Sequence, residues 1–493
     1  MEVRVRYAPS PTGMQHIGGV RTALYNYFYA KSMGGKFILR VEDTDRERYS
    51  DESLQDLYDT LNWLGVAWDE GPIVGGPTGP YVQSERLAMY QEYAKKLVED
   101  GKAYYCYCSS KRLEDLRNEQ QAAKSSYQGY DRHCSELTAA EREAALLDCA
   151  NPVIRLKVPR EGKTSFTDVI MGKITRKNKD ISPDPIILKS DGFPTYHLAN
   201  VIDDHFMGIT HIMRAQEWIP SGPLHVLLYE AFGWEPPVYA HLPMVMGKDG
   251  QKLSKRHGDT AVKDFIKKGY LPEAIINYVS LVGWSLDGER EFFTKADLES
   301  CFCLENIHVA PGIFDYKKLD WFNGQYIREK SDDEIIKLIK PYLIEAGFIA
   351  ETDDEEMLKV LAPLVKERMK VLSDSVNLVK FLYSDELCLD LEKYQVKGAD
   401  KETIAKAFEK SMNFINKCLD DNGTFTHDDF KSMASIAEEL NIKVNAVYLP
   451  IRLAITTTSA SLPLPESISL LGAAKSKERL NTIYKLLIGE IHE

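Results

Sequence analysis

No apolar run in the chain is long enough to cross a bilayer, which takes roughly 20 residues, so a membrane-spanning helix is excluded. Cysteine is scarce, with eight in 493 residues. That is too sparse for a disulfide framework, and Cys106-Tyr-Cys108 and Cys301-Phe-Cys303 read as thiols. Positive charge is in deficit, leaving a net charge of −13, which argues against a general affinity for nucleic acid or acidic membranes. Internal repeats and low-complexity segments are missing. The first residues, Met-Glu-Val-Arg-Val-Arg-Tyr-Ala-Pro-Ser-Pro, lack an apolar signal core and read as a strand entering a loop, so a cytoplasmic location is expected.

What is present is ordinary globular material, 44% hydrophobic and 27% charged, enough for two to four domains at roughly 100–200 residues each. The charge is uneven. Residues 151–180 hold eight basic side chains against three acidic ones, a stripe compatible with either a solvated strand face or a polyanion docked along a defined track. The β-rich stretch 3–7 leads into a Pro/Gly turn, and apolar residues at helical spacing over 20–33 end at Gly34-Gly35. A second strand over 36–41 and a second helix over 53–64 complete a strand–helix–strand order that implies a parallel sheet. From about Ser109 the texture becomes polar, with helical spacing over 111–147 and short strand-like pieces after it, and this reads as an insertion. The sheet pattern is expected to return over 196–213, followed by a helix over 224–232. From about Tyr326 the period is helical, opened by the capping box Ser331-Asp-Asp-Glu334 and continued over 403–419 and 428–440.

Two segments carry chemistry. Pro9-Ser-Pro-Thr-Gly-Met-Gln-His16-Ile-Gly-Gly19 follows a strand and precedes a helix. Its glycines (Gly18 and Gly19 among them) let a ligand approach the backbone, the helix start is expected to offer unpaired N–H groups to phosphate, and His16 can donate to a phosphate oxygen. Lys252-Leu-Ser-Lys255-Arg256 follows Met246-Gly-Lys-Asp-Gly250 and packs three cations into five residues, suited to charge developing on a triphosphate. Either alone is equally a turn or a solvated loop. In this order they resemble the HIGH and KMSKS signatures of class I aminoacyl-tRNA synthetases.

A closer resemblance follows from Arg6-Tyr-Ala-Pro-Ser-Pro-Thr-Gly13, Arg40-Val-Glu-Asp-Thr-Asp45, Ser190-Asp-Gly-Phe-Pro-Thr-Tyr-His-Leu-Ala-Asn200, Asp203-Asp-His-Phe-Met-Gly208, Arg214-Ala-Gln-Glu-Trp218 and Phe314-Asp-Tyr-Lys-Lys-Leu319. These look like the glutamyl-tRNA synthetases, with high specificity from Val3 to about Arg328 and more loosely beyond. One departure is Gly19 at the fourth position of the first signature, where the class has histidine; a small residue is tolerated there in the glutamyl family.

The resemblance implies an α/β Rossmann-type parallel-sheet catalytic domain in two halves, residues 1–108 and 195–245. It places an α+β acceptor-end-binding insertion at 109–194 and a stem-contact region with the Lys252–Arg256 loop at 246–325. An all-α anticodon-binding domain would span 326–493. It implies glutamate binding by Arg6, Ala8, Ser10, Glu42 (on the α-ammonium), Tyr196, Asn200, Arg214 and Trp218. A second guanidinium beside Arg6 favours a side-chain carboxylate over an amide; which arginine holds which carboxylate stays open. ATP with Mg²⁺ would be held by His16, Gly18, Gly19, Glu217 and Lys255. His16, Lys252 and Lys255 would carry the electrostatics of adenylate formation, before the tRNA terminal 2′-OH attacks. Bound tRNA is usually needed first, the partners would be L-glutamate and tRNA(Glu), with tRNA(Gln) an open second acceptor, and a monomer is the family default.

Some bacterial members hold zinc with a Cys-x-Cys pair and a distal Cys-x-His. Here Cys106, Cys108 and Cys134 supply three ligands for a structural zinc. For the fourth, Glu136 stands two after Cys134 and His133 just before it; free thiols in an ordered loop are the other reading. A glutaminyl enzyme would have β-barrels where this chain is helical. A catalytically silent tRNA-binding relative would not need Glu42 and the lysine loop, and a small-molecule adenylyltransferase would not need the helical third.

Overall fold

The computed structural model describes residues 2–124, 129–352 and 355–492. Two compact units emerge, one formed by Met1–Ile266 with Pro272–Tyr316 and the other by Lys267–Leu271 with Lys317–Glu493. Among the described residues no helix is long and apolar enough to cross a membrane.

The first unit opens with β1 (Arg4–Tyr7), α1 (Ile17–Ser32) and β2 (Lys36–Leu39), and β1 and β2 pair in parallel with Val5 opposite Phe37. The buried face of α1 explains why it is a helix despite four aromatic residues: Val20, Leu24, Phe28 and their neighbours bury almost completely. Helix α2 (Asp51–Trp63) is capped by the Ser50 hydroxyl accepting from Ser53 N–H. After α3 (Leu87–Glu99), the chain forms β3 (Ala103–Cys106), α4 (Ser110–Ala122), α5 (Ala139–Asp148) and β4 (Val153–Leu156). Of the polar stretch at 111–147, residues 125–128 lie outside the described ones.

The hairpin of β5 (Lys163–Asp168) and β6 (Gly172–Lys177) comes next, then β7 (Ile186–Leu188), α6 (Tyr196–Phe206), β8 (His211–Ala215), α7 (Gly222–Phe232) and β9 (Val238–Leu242). Strands β3, β4 and β7 make a separate antiparallel sheet, whereas β6-β5-β9-β8 forms a second sheet in which β8 and β9 run parallel. Thr210 N–H donates to Arg4 O just before β8, which lays β1 along its edge. Part of the segment expected as an insertion thus adds the β5–β6 hairpin to one side of the four-stranded sheet, through the Asp168–Tyr239 pairing of β5 with β9.

One expectation needs correcting. Residues 196–206 are helical, and strand structure resumes only at His211. Leu198, Val201 and Ile202 recur at helical spacing and are buried, so packing overrides the β-branched pair's strand preference.

The second unit is helical. Its Ser331–Glu334 capping box is present, opening Asp332–Glu345, which buries Ile335, Ile336, Ile339 and Leu343. The long helix Lys401–Asn422 packs against Asn445–Thr456 and Ala473–His492.

Candidate active site

Strand ends and helix starts of the first unit converge on a cleft of about 800 Å³. Arg6 and Ala8 come from β1 and the loop after it, as does Ser10; Glu42 follows β2, Tyr196 and Asn200 lie on α6, and Arg214 lies on β8 with Trp218 just beyond. All eight residues that the resemblance implied for glutamate line this cleft.

Two buried arginines share the cleft in different electrostatic settings. Arg6 donates from Nε and Nη2 to the Asp204 carboxylate at 3.0 and 3.2 Å, and Arg40 donates to the same Oδ1 at 2.7 Å. Burial works to raise the Asp204 carboxyl, but the Arg6 and Arg40 guanidiniums outweigh it and hold it below the usual carboxylate range. Arg40 also donates twice to Glu42 Oε1, at 3.3 and 3.0 Å. The other Glu42 oxygen has no protein donor among the described residues.

Arg214, equally buried, has no carboxylate within ion-pairing distance among the described residues. Its Nε donates to His241 Nε2 at 3.1 Å, Nη1 donates to the Tyr196 hydroxyl at 3.1 Å, and both Nη atoms lie 3.3 Å from His225 Nδ1. A guanidinium can only donate, so His225 Nδ1 must accept and its Nε2 carries the proton, donated to His197 Nδ1 at 3.0 Å. Burial, then the Arg214 charge, pushes His225 far below the ordinary imidazole range and brings His197 down to about 4. The imidazoles are therefore neutral, and the Arg214 charge is uncompensated. Beside it, the Asn200 amide is buried with neither its oxygen nor its nitrogen hydrogen-bonded. Such orphaned polar atoms facing a cleft suit a polar ligand.

A second cavity of about 320 Å³ is lined by His16, Gly18, Glu217 and Lys252, and it shares Gly19, Thr22 and Ala215 with the first. The two sites therefore adjoin. His16 caps α1, its Nδ1 accepting from Gly18 N–H at 3.0 Å. In the neutral ring, favoured here by burial and by nearby Lys252, the proton then sits on Nε2, ready to donate. The expected unpaired N–H groups are not there. Ile17 donates to Thr260 O, Gly18 to His16 and Gly19 to His16 O, because a local cap and the adjacent loop consume them.

At Gly19 a β-carbon would stand 3.0 Å from the Tyr7 hydroxyl, itself bonded to Gln15, so a larger residue there would need that hydroxyl to shift. Lys252 donates to Glu217 at 2.6 Å. Lys255, expected on the phosphates, lies exposed in the turn Lys255–His257 and lines neither cavity.

The thiols of Cys106, Cys108 and Cys134 lie within 4.8 Å of one another. His133, offered as a fourth ligand, is exposed and outside this cluster, because the turn at 133–135 points Cys134 inward and its neighbour outward. The Tyr130 hydroxyl fills that side instead, 3.4 Å from Cys106 Sγ and 3.5 Å from Cys108 Sγ. Reading for histidines missed Tyr130; its place four residues before Cys134 was the available signal. Reading also missed Asp168, His225 and His241, which belong to no motif.

The sequence profile described as the class I tRNA synthetase (E and Q) catalytic domain matches residues 2–321, and an anticodon-binding-domain profile matches 334–484. A glutamate–tRNA ligase of Borreliella burgdorferi is 53% identical over 99% of both chains, and one of Treponema denticola is 50% identical over 97% of this chain and 98% of its own. A crystal structure of the glutamate–tRNA ligase of Elizabethkingia meningosepticum with its amino acid superposes with a TM-score of 0.80 at 34% identity, over 98% of this chain and 99% of the other. The chain belongs to the class I tRNA synthetases of the E and Q type, in the glutamate–tRNA ligase family.

Proposed function

We propose that the chain joins L-glutamate to tRNA(Glu) through a glutamyl-adenylate, consuming ATP and releasing AMP and pyrophosphate. The observation that carries the glutamate assignment is Arg214, a buried cation whose hydrogen-bond partners are all neutral. A carboxylate restores charge balance there and a carboxamide does not, so Arg214 takes the side-chain carboxylate. Arg6 is already neutralised by Asp204 and contributes a donor edge. Glu42 accepts from the α-ammonium, and Asn200 and Tyr196 bond the polar ends.

ATP with Mg²⁺ occupies the adjoining cavity, where Mg²⁺ supplies charge neutralisation on the phosphates. His16 Nε2–H donates to a phosphate oxygen, and Lys252 leaves Glu217 to do the same. Catalysis is positioning and electrostatics, with no covalent nucleophile on the enzyme. Lys255 reaches the phosphates only if its loop closes over them.

Cys106, Cys108 and Cys134, with the Tyr130 oxygen as fourth donor, fit a tetrahedral zinc of structural role. Metal analysis of purified protein is expected to give one zinc per chain and much less in Cys134→Ser; zinc-free wild type that is fully folded contradicts this.

The activity test is charging of purified tRNA(Glu) and tRNA(Gln) with labelled glutamate. Glutamyl-tRNA(Glu) is the expected product, and the tRNA(Gln) arm decides whether the second acceptor is used. Folded protein that binds tRNA(Glu) yet never charges it contradicts the proposal.

A further inference from the structure

Three neighbouring strands place Asp168, His241 and Arg214 in a row. Strands β8 and β9 run parallel with Arg214 opposite His241, and β5 joins β9 at the Asp168–Tyr239 pair. Asp168 Oδ2 lies 2.7 Å from His241 Nδ1 and accepts from the His241 backbone N–H at 2.9 Å. Asp168 and His241 are wholly enclosed, and Arg214 is 5% exposed.

The bonding directions follow from donor inventory alone. An ionised carboxylate only accepts, so His241 Nδ1 carries the proton; a neutral ring then leaves Nε2 as an acceptor; and Arg214 Nε can only donate to it. Desolvation of the buried ring works in the same direction, favouring the neutral form.

We propose that His241, set in this tautomer by Asp168, is a specificity-positioning residue: it grips Arg214 by Nε and so aims the guanidinium at the side-chain carboxylate of the amino acid. A carboxylate in the place of His241 would hold Arg214 as firmly but would cancel its charge, as Asp204 does for Arg6. A neutral acceptor fixes the orientation and leaves the charge to the substrate. The negative charge that fixes the device sits one imidazole further out. This rests on the reading of Arg214 as the glutamate-selecting cation.

Asp168 also accepts from the Ile170 and Met171 N–H groups at 3.0 and 2.8 Å, so replacing it would disturb the β5–β6 turn. His241 is the cleaner target. His241→Asn keeps a side-chain donor at the position of Nδ1 for Asp168 but cannot reach Arg214, whereas His241→Gln places an amide oxygen where Nε2 was.

The experiment measures KM and kcat for glutamate, KM for ATP, and the glutamate-to-glutamine selectivity in tRNA charging by full-length wild type, His241→Asn, His241→Gln and Arg214→Met, with thermal melting for each. His241→Asn is expected to raise the glutamate KM about 10- to 100-fold, the scale of one lost hydrogen bond to a buried charge. Its kcat and ATP KM should hold within about threefold and its selectivity should narrow, while His241→Gln recovers most of the loss. Unchanged glutamate KM and selectivity in His241→Asn, or equal losses in Asn and Gln variants, overturn the positioning role. If Arg214→Met also leaves glutamate KM and selectivity intact, the reading of Arg214 itself falls; if only that variant changes them, the reading stands and the His241 inference alone fails.

Discussion

Two buried arginines on neighbouring strands, Arg6 on β1 and Arg214 on β8, differ in what neutralises them. Arg6 shares the Asp204 carboxylate with Arg40 in a network that extends to Glu42, and Asp203 beside it is held by Arg86, Gln83 and Tyr90. Arg214 is surrounded by imidazoles and a phenol. The first arrangement is complete without ligand, and breaking it leaves buried charge unpaired. The second is complete only with an anion. Burial of a charged side chain therefore says little about function until its partners are counted.

The largest expected effect tests the completed side. Asp204→Asn leaves both Arg6 and Arg40 undercompensated and should cost about 3–5 kcal/mol of stability, read from chemical denaturation of the full chain. Arg214→Met should do the reverse, holding or raising the melting temperature while lowering kcat/KM for glutamate by about 100-fold or more. A shared stability loss in the two variants would erase the distinction.

Glu42→Gln comes next. Its Oε1 is held by Arg40, and on the proposed reading its other oxygen accepts from the α-ammonium, so glutamate KM should rise by about 10- to 100-fold in charging assays, with a smaller change in melting temperature. Lys252→Met removes an exposed pair with Glu217 that contributes under about 1 kcal/mol to stability, so melting should hardly move while pyrophosphate exchange slows.

The smallest effect is a pH dependence. His197, half-buried beside His225, is brought down by desolvation and the nearby Arg214 charge to about 4, below its unfolded value of about 6.5. A group so depressed stabilises the fold above its unfolded pKa, and that contribution declines as pH falls from about 6.5 through about 4. Melting temperature should fall across this window, and His197→Gln should fall less steeply than wild type.

Sequence reading reached furthest where a local pattern and the chemistry coincide. His16 before a glycine pair, the Arg40–Asp45 stretch and Arg214-Ala-Gln-Glu-Trp218 are contiguous; His16 lines the smaller cavity, while Glu42, Arg214 and Trp218 line the cleft. The Ser331 capping box is likewise a four-residue signal. Asp168, His225 and His241 were invisible because strand register and helix packing, not local spacing, bring them to Arg214. The proposed fourth zinc donor, Tyr130, was missed because a tyrosine is an unusual metal ligand. Helix α6 was misread as returning sheet because Val201 and Ile202 suggest strand until their partner surfaces are known. The N–H groups of α1 looked available because a sequence does not reveal that Thr260, far along the chain, would take one of them.

On the proposed reading, an uncompensated Arg214 makes the site choose a carboxylate. The most direct test is ATP–pyrophosphate exchange by the wild-type chain with tRNA present, run with glutamate and with glutamine. Exchange with glutamate and none above background with glutamine is the predicted result; equal exchange with both amino acids would contradict the account.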